Sequence, residues 1–264
     1  MTRWHVEALF FEPSSRSRCI TRLRYFANVG IIKRLEQPSI FSEGRKPFVY
    51  VACEKTAQLV ATKDKISIED IEWDGRELQA GNLFLPHLLA ITDVNVAFTL
   101  AAKKHGFTIE TWLHTLMLKR KGMIDRVEVT GPRGATQKIS VEPDVFTILD
   151  DTVHKNNLFL EIDRGTEDRQ EIANKIYAYR YYMTPLDDKP SVYEQRYGTR
   201  KGRILFIALT ERRVLTLKEI TEACGGRARF WFATLPDIQN NDPFMDTIWR
   251  KAGTPNDEKF TLIW

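Results

Sequence analysis

The sequence predicts a mixed α/β fold of the α+β kind in two parts. Residues 1–80 form a small helix-and-hairpin unit, and residues 81–264 form a larger unit in which helices flank a mixed sheet. Three observations lead there. A 3.6-residue apolar spacing over "SSRSRCITRLRYFANVG" is followed by two short apolar runs, "GIIKRLEQ" and "PFVYVA". From Pro86 onward the pattern runs helix, three strands, helix, strand, helix, strand. Between them lies a polar, acid-rich stretch, "SIEDIEWDGRE", in the manner of a linker.

Composition narrows the function classes. With 43% hydrophobic and 28% charged residues in 264, the chain can bury a proper core. A net charge of +4 is only mildly basic, so local clustering decides whether polyanions are partners. The three cysteines, Cys19, Cys53 and Cys224, are far apart and form no CxxC pair, which excludes a disulfide framework and a structural zinc site. There is no run of about 18 apolar residues and no signal-type N-terminus. A cytoplasmic protein without membrane partners is therefore expected.

In the first unit, serines suited to capping precede a helix that Gly30 closes. Cys19, Ile20, Leu23, Phe26 and Ala27 share one face, with Arg18, Arg22 and Tyr25 opposite. Arg16, Arg18, Arg22 and Arg24 stand between Ser14 and Gly30 with no acidic residue among them. Two strands follow, joined by "PSIFSEGRK", whose tip carries Arg45 and Lys46; "EKTAQLVAT" then closes the unit as a short amphipathic segment. This order resembles a winged helix-turn-helix. The resemblance implies double-stranded DNA as partner, with Arg18 and Arg22 on the helix that enters the major groove and Arg45 and Lys46 on phosphates. The same small fold also serves dimerisation, so a homodimer is the alternative use of this unit.

In the second unit, "LFLPHLLAITDVNVAFTLAAKKHG" reads as a long helix ended by Gly106. "FTIETWLHTLMLKR" reads as a strand or short helix, and "DRVEVTGPRGATQKISVEPDVFTIL" as strand, turn, strand. The Gly131 to Gly134 pair lacks a following Gly-Lys-Ser/Thr, so it is a hairpin turn and not a phosphate loop. "NNLFLEIDR" is a strand. "TEDRQEIANKIYAYRYYM" is a helix with Thr166 as its cap, and "GRILFIALT", "LTLKEITEAC" and "ARFWFATL" are strand, helix and buried strand.

Three carboxylates stand out on or beside these apolar strands: Asp144, Glu161 and Asp163. Period-2 alternation puts Glu161 and Asp163 on one face, where both can meet Asp144 from a neighbouring strand. Three converging anions repel one another unless a cation joins them. Phosphodiester cleavage needs such a hard cation held by carboxylates with room left for water and phosphate. The element order together with Pro143-Asp144 and Glu161-Ile162-Asp163 resembles the PD-(D/E)XK nuclease fold. That resemblance implies a catalytic and metal-binding set of Asp144, Glu161 and Asp163 around Mg2+ or Mn2+. Asp163 stands where many members carry a lysine. Lys175, on the following helix beside Tyr179 and Tyr182, is the nearest substitute; read from the sequence, it either reaches the metal site or pairs with Glu171 at i−4.

A wider resemblance covers nearly the whole chain. The N-terminal unit, "HLLAITDVNVAF", a tryptophan segment and "PDVFTI" leading to "FLEIDRGTEDRQEIANKIYAY" resemble the replication-relaxation family of plasmids and mobile elements, to which MobC-type relaxases are similar. This implies DNA binding at a plasmid origin, strand nicking in the relaxase branch, and relaxosome or replication proteins as partners. The family pattern places a glutamate three residues after the tryptophan, where this chain has Thr115 after Trp112; Glu110 is off position. His87 and Asp93 fall in the segment that opens the long helix, Glu142, Asp150 and Asp151 on turns or solvated edges, and none of Tyr177, Tyr179, Tyr181 and Tyr182 is assigned as a nucleophile. Two function classes follow: a metal-dependent DNA nickase or endonuclease, and a non-catalytic origin-binding or regulatory protein on the same fold. A ligand-sensing transcription regulator would leave the buried acids unexplained.

Overall fold

The computed structural model describes residues 1–37, 44, 46–71, 73, 75, 84–130, 136–185 and 189–263. Arg45, the domain boundary expected near residue 80 and the Gly131–Gly134 turn lie outside the described residues. The chain divides into two compact units, Met1–Val96 and Ala97–Trp264.

The first unit contains helices α1 (Arg3–Phe10) and α2 (Arg16–Asn28), strands β1 (Ile32–Leu35) and β2 (Val49–Ala52), and helix α3 (Glu54–Asp64). β1 and β2 pair antiparallel, with Ile32 opposite Ala52 and Leu35 opposite Val49. The N-terminus adds to this ribbon: Thr2 bridges Val49, and the Met1 ammonium donates to the Tyr50 carbonyl at 3.0 Å. α2 exists because its apolar spacing gives it a stripe to bury. Cys19 and Leu23 are buried, whereas Arg16, Arg18, Arg22 and Arg24 are all exposed. Phe26, expected on the apolar face, lies at its exposed edge. Gly30, at φ +74°, takes the left-handed conformation that ends the helix, and Ile31 N–H bonds back to the Phe26 carbonyl at 2.9 Å.

Helix α4 spans Leu85–His105 and contributes to the second unit from Ala97 onward. By length and composition it is long and apolar enough to cross a membrane. Its Phe98, however, packs edge-on against Trp112 at 6.0 Å and Phe244 at 4.9 Å, as a core helix does. After it come β3 (Thr108–His114), α5 (Thr115–Arg120), β4 (Asp125–Thr130), β5 (Thr136–Val141), β6 (Val145–Asp150), β7 (Lys155–Asp163), α6 (Arg169–Met183), α7 (Val192–Tyr197), β8 (Arg203–Ala208), α8 (Glu211–Ala223), β9 (Phe230–Thr234), α9 (Leu235–Asn240) and β10 (Arg250–Lys251).

A six-stranded mixed sheet runs β10-β9-β8-β7-β6-β3. β3, β6 and β7 form an antiparallel meander, and β8 and β9 add parallel to it through the crossovers that contain α6 and α8. The fold is thus mixed α/β of the α+β kind, with helices against the sheet. Two readings change in detail. The segment after Gly106 is both strand and helix, β3 followed by α5. Residues 125–150 yield three strands, because Pro143 has no N–H to continue a ladder: β4 and β5 make a separate hairpin, and the chain turns at Pro143 before β6 enters the main sheet. β7 is buried along its length from Asn157 to Asp163, and β8 from Ile204 to Ala208. Strands covered on both faces read as continuous apolar runs, as these do. Under α6 and α8 the core includes Phe206 stacked on Phe232 at 5.7 Å.

Candidate functional site

Asp144 immediately precedes β6, and the β6–β7 register pairs Val145 with Leu160. One further step of that antiparallel register sets Asp144 across from Glu161 on the same face. The Asp144 carboxylate accepts a hydrogen bond from Ile162 N–H at 2.7 Å, which fixes its position beside β7. From the other side, Thr115 holds the Pro143-Asp144 segment: its hydroxyl donates to the Pro143 carbonyl at 2.9 Å, and its N–H donates to the Asp144 carbonyl at 3.1 Å. Thr115 is therefore a latch on the backbone of Asp144.

Glu161 is 2% exposed. Helix α6 brings two side chains to it from positions one turn apart. Lys175 Nζ lies 2.9 Å from Glu161 Oε2, and the Tyr179 hydroxyl donates to Oε1 at 2.5 Å. Burial pushes the Glu161 carboxyl up to about 7; the nearby Asp144 charge adds to this, while Lys175 and the Tyr179 hydroxyl pull the other way. For Lys175 burial disfavours the charge, but Glu161 and Glu167 together outweigh it and hold the ammonium above its ordinary range. Lys175 also pairs with Glu167 at 2.6 Å.

The local sequence explains why Lys175 does not pair with Glu171. The helix is capped by Asp168 and not by Thr166: the Asp168 carboxylate accepts from the N–H groups of Gln170 and Glu171 at 2.8 and 2.9 Å. Glu171 reaches back to Asp168 N–H at 2.9 Å and completes a capping box. With Glu171 so engaged, the ammonium turns inward to Glu161.

Asp163 shares the Glu161 face but has its own partner. It forms a bidentate ion pair with Arg213 of α8, at 2.9 and 2.8 Å, and accepts Gly165 N–H at 2.6 Å. Arg213 also donates to the Glu167 carbonyl at 2.8 Å. Gly165, at φ +81°, allows the tight turn that Asp163 caps. The structure thus brings Asp144, Glu161 and Lys175 together and gives Asp163 over to an arginine. Among the described residues, no group of three or more His, Cys, Asp or Glu is arranged to hold a metal ion. A hard cation that keeps most of its waters needs only one or two carboxylates, and Asp144 with Glu161 supplies two.

The other candidates sort differently. Glu110 pairs with Lys155 at 2.6 Å, and Asp151 accepts from Val153 and His154 N–H in a turn. In the first unit, Asp93 receives the His5 ring at 2.6 Å; Thr2 N–H donates to the other ring nitrogen, so Nε2 carries the proton. The Tyr181 hydroxyl donates to the Thr130 carbonyl at 3.2 Å and Tyr182 to Asp125 at 2.7 Å. Arg18 and Arg22 are exposed on α2, with the Arg22 guanidinium 5.9 Å from the Phe11 ring centroid. Lys46 is exposed after β1. Thr115, Glu167, Tyr179 and Arg213 are the residues sequence reasoning did not assign. Tyr179 carried a signal as the i+4 neighbour of Lys175, and Thr115 as the residue standing where the resemblance implies a glutamate.

Among known proteins, the family model described as replication-relaxation matches residues 1–191. No curated protein and no solved structure matches the chain. The matched span takes in the basic helix α2 together with Asp144, Glu161, Lys175 and Tyr179, and ends before β8. On this match over most of its length, the chain belongs to the replication-relaxation family.

Proposed function

We propose that this protein binds DNA in the replication of plasmids or mobile elements and that its second unit nicks or cleaves DNA with Mg2+ or Mn2+ held by Asp144 and Glu161. The role in replication follows from the family. The cleavage chemistry rests on one observation: a buried glutamate stands between a second carboxylate and a lysine, at one end of a sheet meander. The antiparallel meander β3-β6-β7, extended by the parallel strand β8 after α6, supports the PD-(D/E)XK-like reading.

The donor set suits a divalent ion. Glu161 is pushed up to about 7 by burial and by Asp144, a repulsion that a shared cation relieves. When bound, such an ion polarises the phosphate and lowers the pKa of a coordinated water. The chain's own part is positioning. Thr115 and Ile162 N–H orient Asp144, Tyr179 orients Glu161, and Lys175 places a fixed positive charge beside Glu161. That charge would stabilise the negative charge that grows on phosphate oxygens as the P–O bond breaks. Asp163, closed by Arg213, braces the turn that leads into α6.

One observation favours the second reading, a non-catalytic origin-binding protein. Both Glu161 oxygens already have donors within the protein, so the cluster also satisfies itself as a polar core. Supercoiled plasmid incubated with the protein and Mg2+ or Mn2+, with and without chelator, separates the two. Chelator-sensitive nicked or linear product is expected. Intact plasmid and intact single-stranded origin DNA with both metals would leave the origin-binding reading in its place.

A further inference from the structure

The parallel arrangement of β8 and β9 puts the turns that precede them side by side, and both turns are basic. "YGTRKGR" leads into β8 and "CGGRAR" into β9. Two adjoining cavities open there, of about 300 and about 370 Å3, which share Ala228 and Arg229 as a common wall. Their lining includes six cationic side chains, Arg180, Arg200, Lys201, Arg203, Arg227 and Arg229, and neither cavity is lined by an aspartate or glutamate.

These cations are held in place mostly by backbone and not by acids. Arg180 donates to the Cys224 carbonyl at 2.5 Å, Arg227 to the carbonyls of Glu222 and Gly226, and Arg229 to the Arg200 carbonyl at 2.6 Å, which ties the two turns together. The Arg200 side chain differs, forming an ion pair with Glu194 at 3.0 Å. Among the described residues, Arg180, Lys201, Arg227 and Arg229 form no ion pair with a carboxylate. Fixed positive charge that is mostly not paired with a carboxylate is suited to an external anion.

We infer that this edge of the sheet is a second nucleic-acid contact, a trough that holds consecutive phosphates of one strand's backbone. Two features select a polyphosphate over an acidic protein segment. Five of the six cations are arginines, whose planar forks suit phosphate oxygens. Protein partners dock on apolar anchors near the centre of an interface, and none of the exposed large hydrophobic residues among those described lines either cavity. The trough spans the starts of β7, β8 and β9, roughly 10 Å at ordinary strand spacing, enough for more than one phosphate. It lies at the opposite end of the parallel strands from Asp163, and five of its six cations, all but Arg180, lie beyond residue 191, outside the family match.

The test uses the full chain and two probes, a labelled oligothymidylate and a labelled duplex of arbitrary sequence. Lys201→Gln with Arg227→Gln neutralises one exposed cation on each turn without touching the Arg229 tie. Affinity for at least one probe is expected to fall about tenfold at low salt, and the slope of log affinity against log salt to shrink by roughly 1 to 2. Lys201→Arg with Arg227→Lys keeps the charge and is expected to bind as wild type. Arg212→Gln, beside the acidic residues Glu211, Glu219 and Glu222, is expected to change nothing. Three results overturn the inference: unchanged affinity and slope for both probes in the neutral variant, equal loss in the charge-keeping variant, or poly-glutamate displacing the oligonucleotide as well as unlabelled oligonucleotide does at equal charge. The inference does not rest on cleavage. Protein that binds through the trough yet leaves plasmid intact supports it while refuting the nickase.

Discussion

Lys175 Nζ bridges Glu161 Oε2 at 2.9 Å and Glu167 Oε1 at 2.6 Å, so a single ammonium on α6 neutralises a buried strand glutamate and ties it to the turn before the helix. The contact joins the two elements that "FLEIDRGTEDRQEIANKIYAY" encodes, a strand ending at Asp163 and a helix beginning at Arg169. An exposed i, i+4 pair with Glu171 would contribute only a few tenths of a kcal/mol. Partial burial makes this arrangement stronger and gives the lysine a place in the site.

Lys175→Met keeps the length and apolar stem of the side chain and removes its charge. In plasmid nicking assays the variant is expected to lose roughly a hundredfold or more, the scale for one preorganised charge donor, while oligonucleotide affinity stays within about twofold of wild type. Nicking within about twofold of wild type would reduce Lys175 to a structural partner of Glu161.

The Glu161 carboxyl gives the metal-free protein a pH signature. Its folded value, pushed up to about 7 by burial, exceeds its ordinary 4.5. Between those values the folded chain binds the proton more tightly than the unfolded chain, so this group's contribution to stability falls as pH rises from about 4.5 to about 7 and is level above that. Denaturant unfolding in chelator is expected to show this loss in wild type. Glu161→Gln is expected to abolish it, and a wild-type slope retained in that variant would assign the effect to another group.

Much of this was legible in the sequence. The α2 stripe of Cys19 and Leu23 and the buried run ending in Glu161 and Asp163 follow from periodicity, which local sequence carries directly, whereas Asp144 beside Glu161 came from the nuclease-fold resemblance. What was not legible depends on long-range contacts. Arg213 is 50 residues from Asp163 and nothing in "LTERRVLTL" marks it as the partner. Thr115 stood out in the sequence only as a departure from the family pattern, and its contacts to Pro143 and Asp144 arise from the chain turn some 28 residues on. The cap shifted from Thr166 to Asp168 because an Asp163–Gly165 turn uses up the residues between, a competition between two local motifs that spacing does not rank.

On α2, the exposed Arg18 and Arg22 stand opposite the buried Cys19 and Leu23. Replacing both by alanine is expected to weaken duplex binding and to flatten its salt dependence by about 2 in slope, since two fewer counterions are released. Circular dichroism is expected to remain unchanged, because neither side chain is in the core. Wild-type affinity and slope in a folded variant would move duplex recognition to other residues.

Asp144 and Asp163 separate under divalent metal. If Asp144 and Glu161 hold the cation, Mg2+ or Mn2+ raises the melting temperature by linkage, by about 2.7 kcal/mol in stability at a hundred times Kd. Asp144→Asn keeps an oxygen to accept Ile162 N–H, so the fold is expected to persist while the metal-induced shift disappears. Asp163→Asn breaks the bidentate pair and leaves the Arg213 guanidinium, 21% exposed, without its anion. That variant is expected to lose about 2 kcal/mol or more of stability and to keep the metal shift. A shift lost in Asp163→Asn but kept in Asp144→Asn would mean that the cation displaces Arg213 and sits at Asp163, the end of β7.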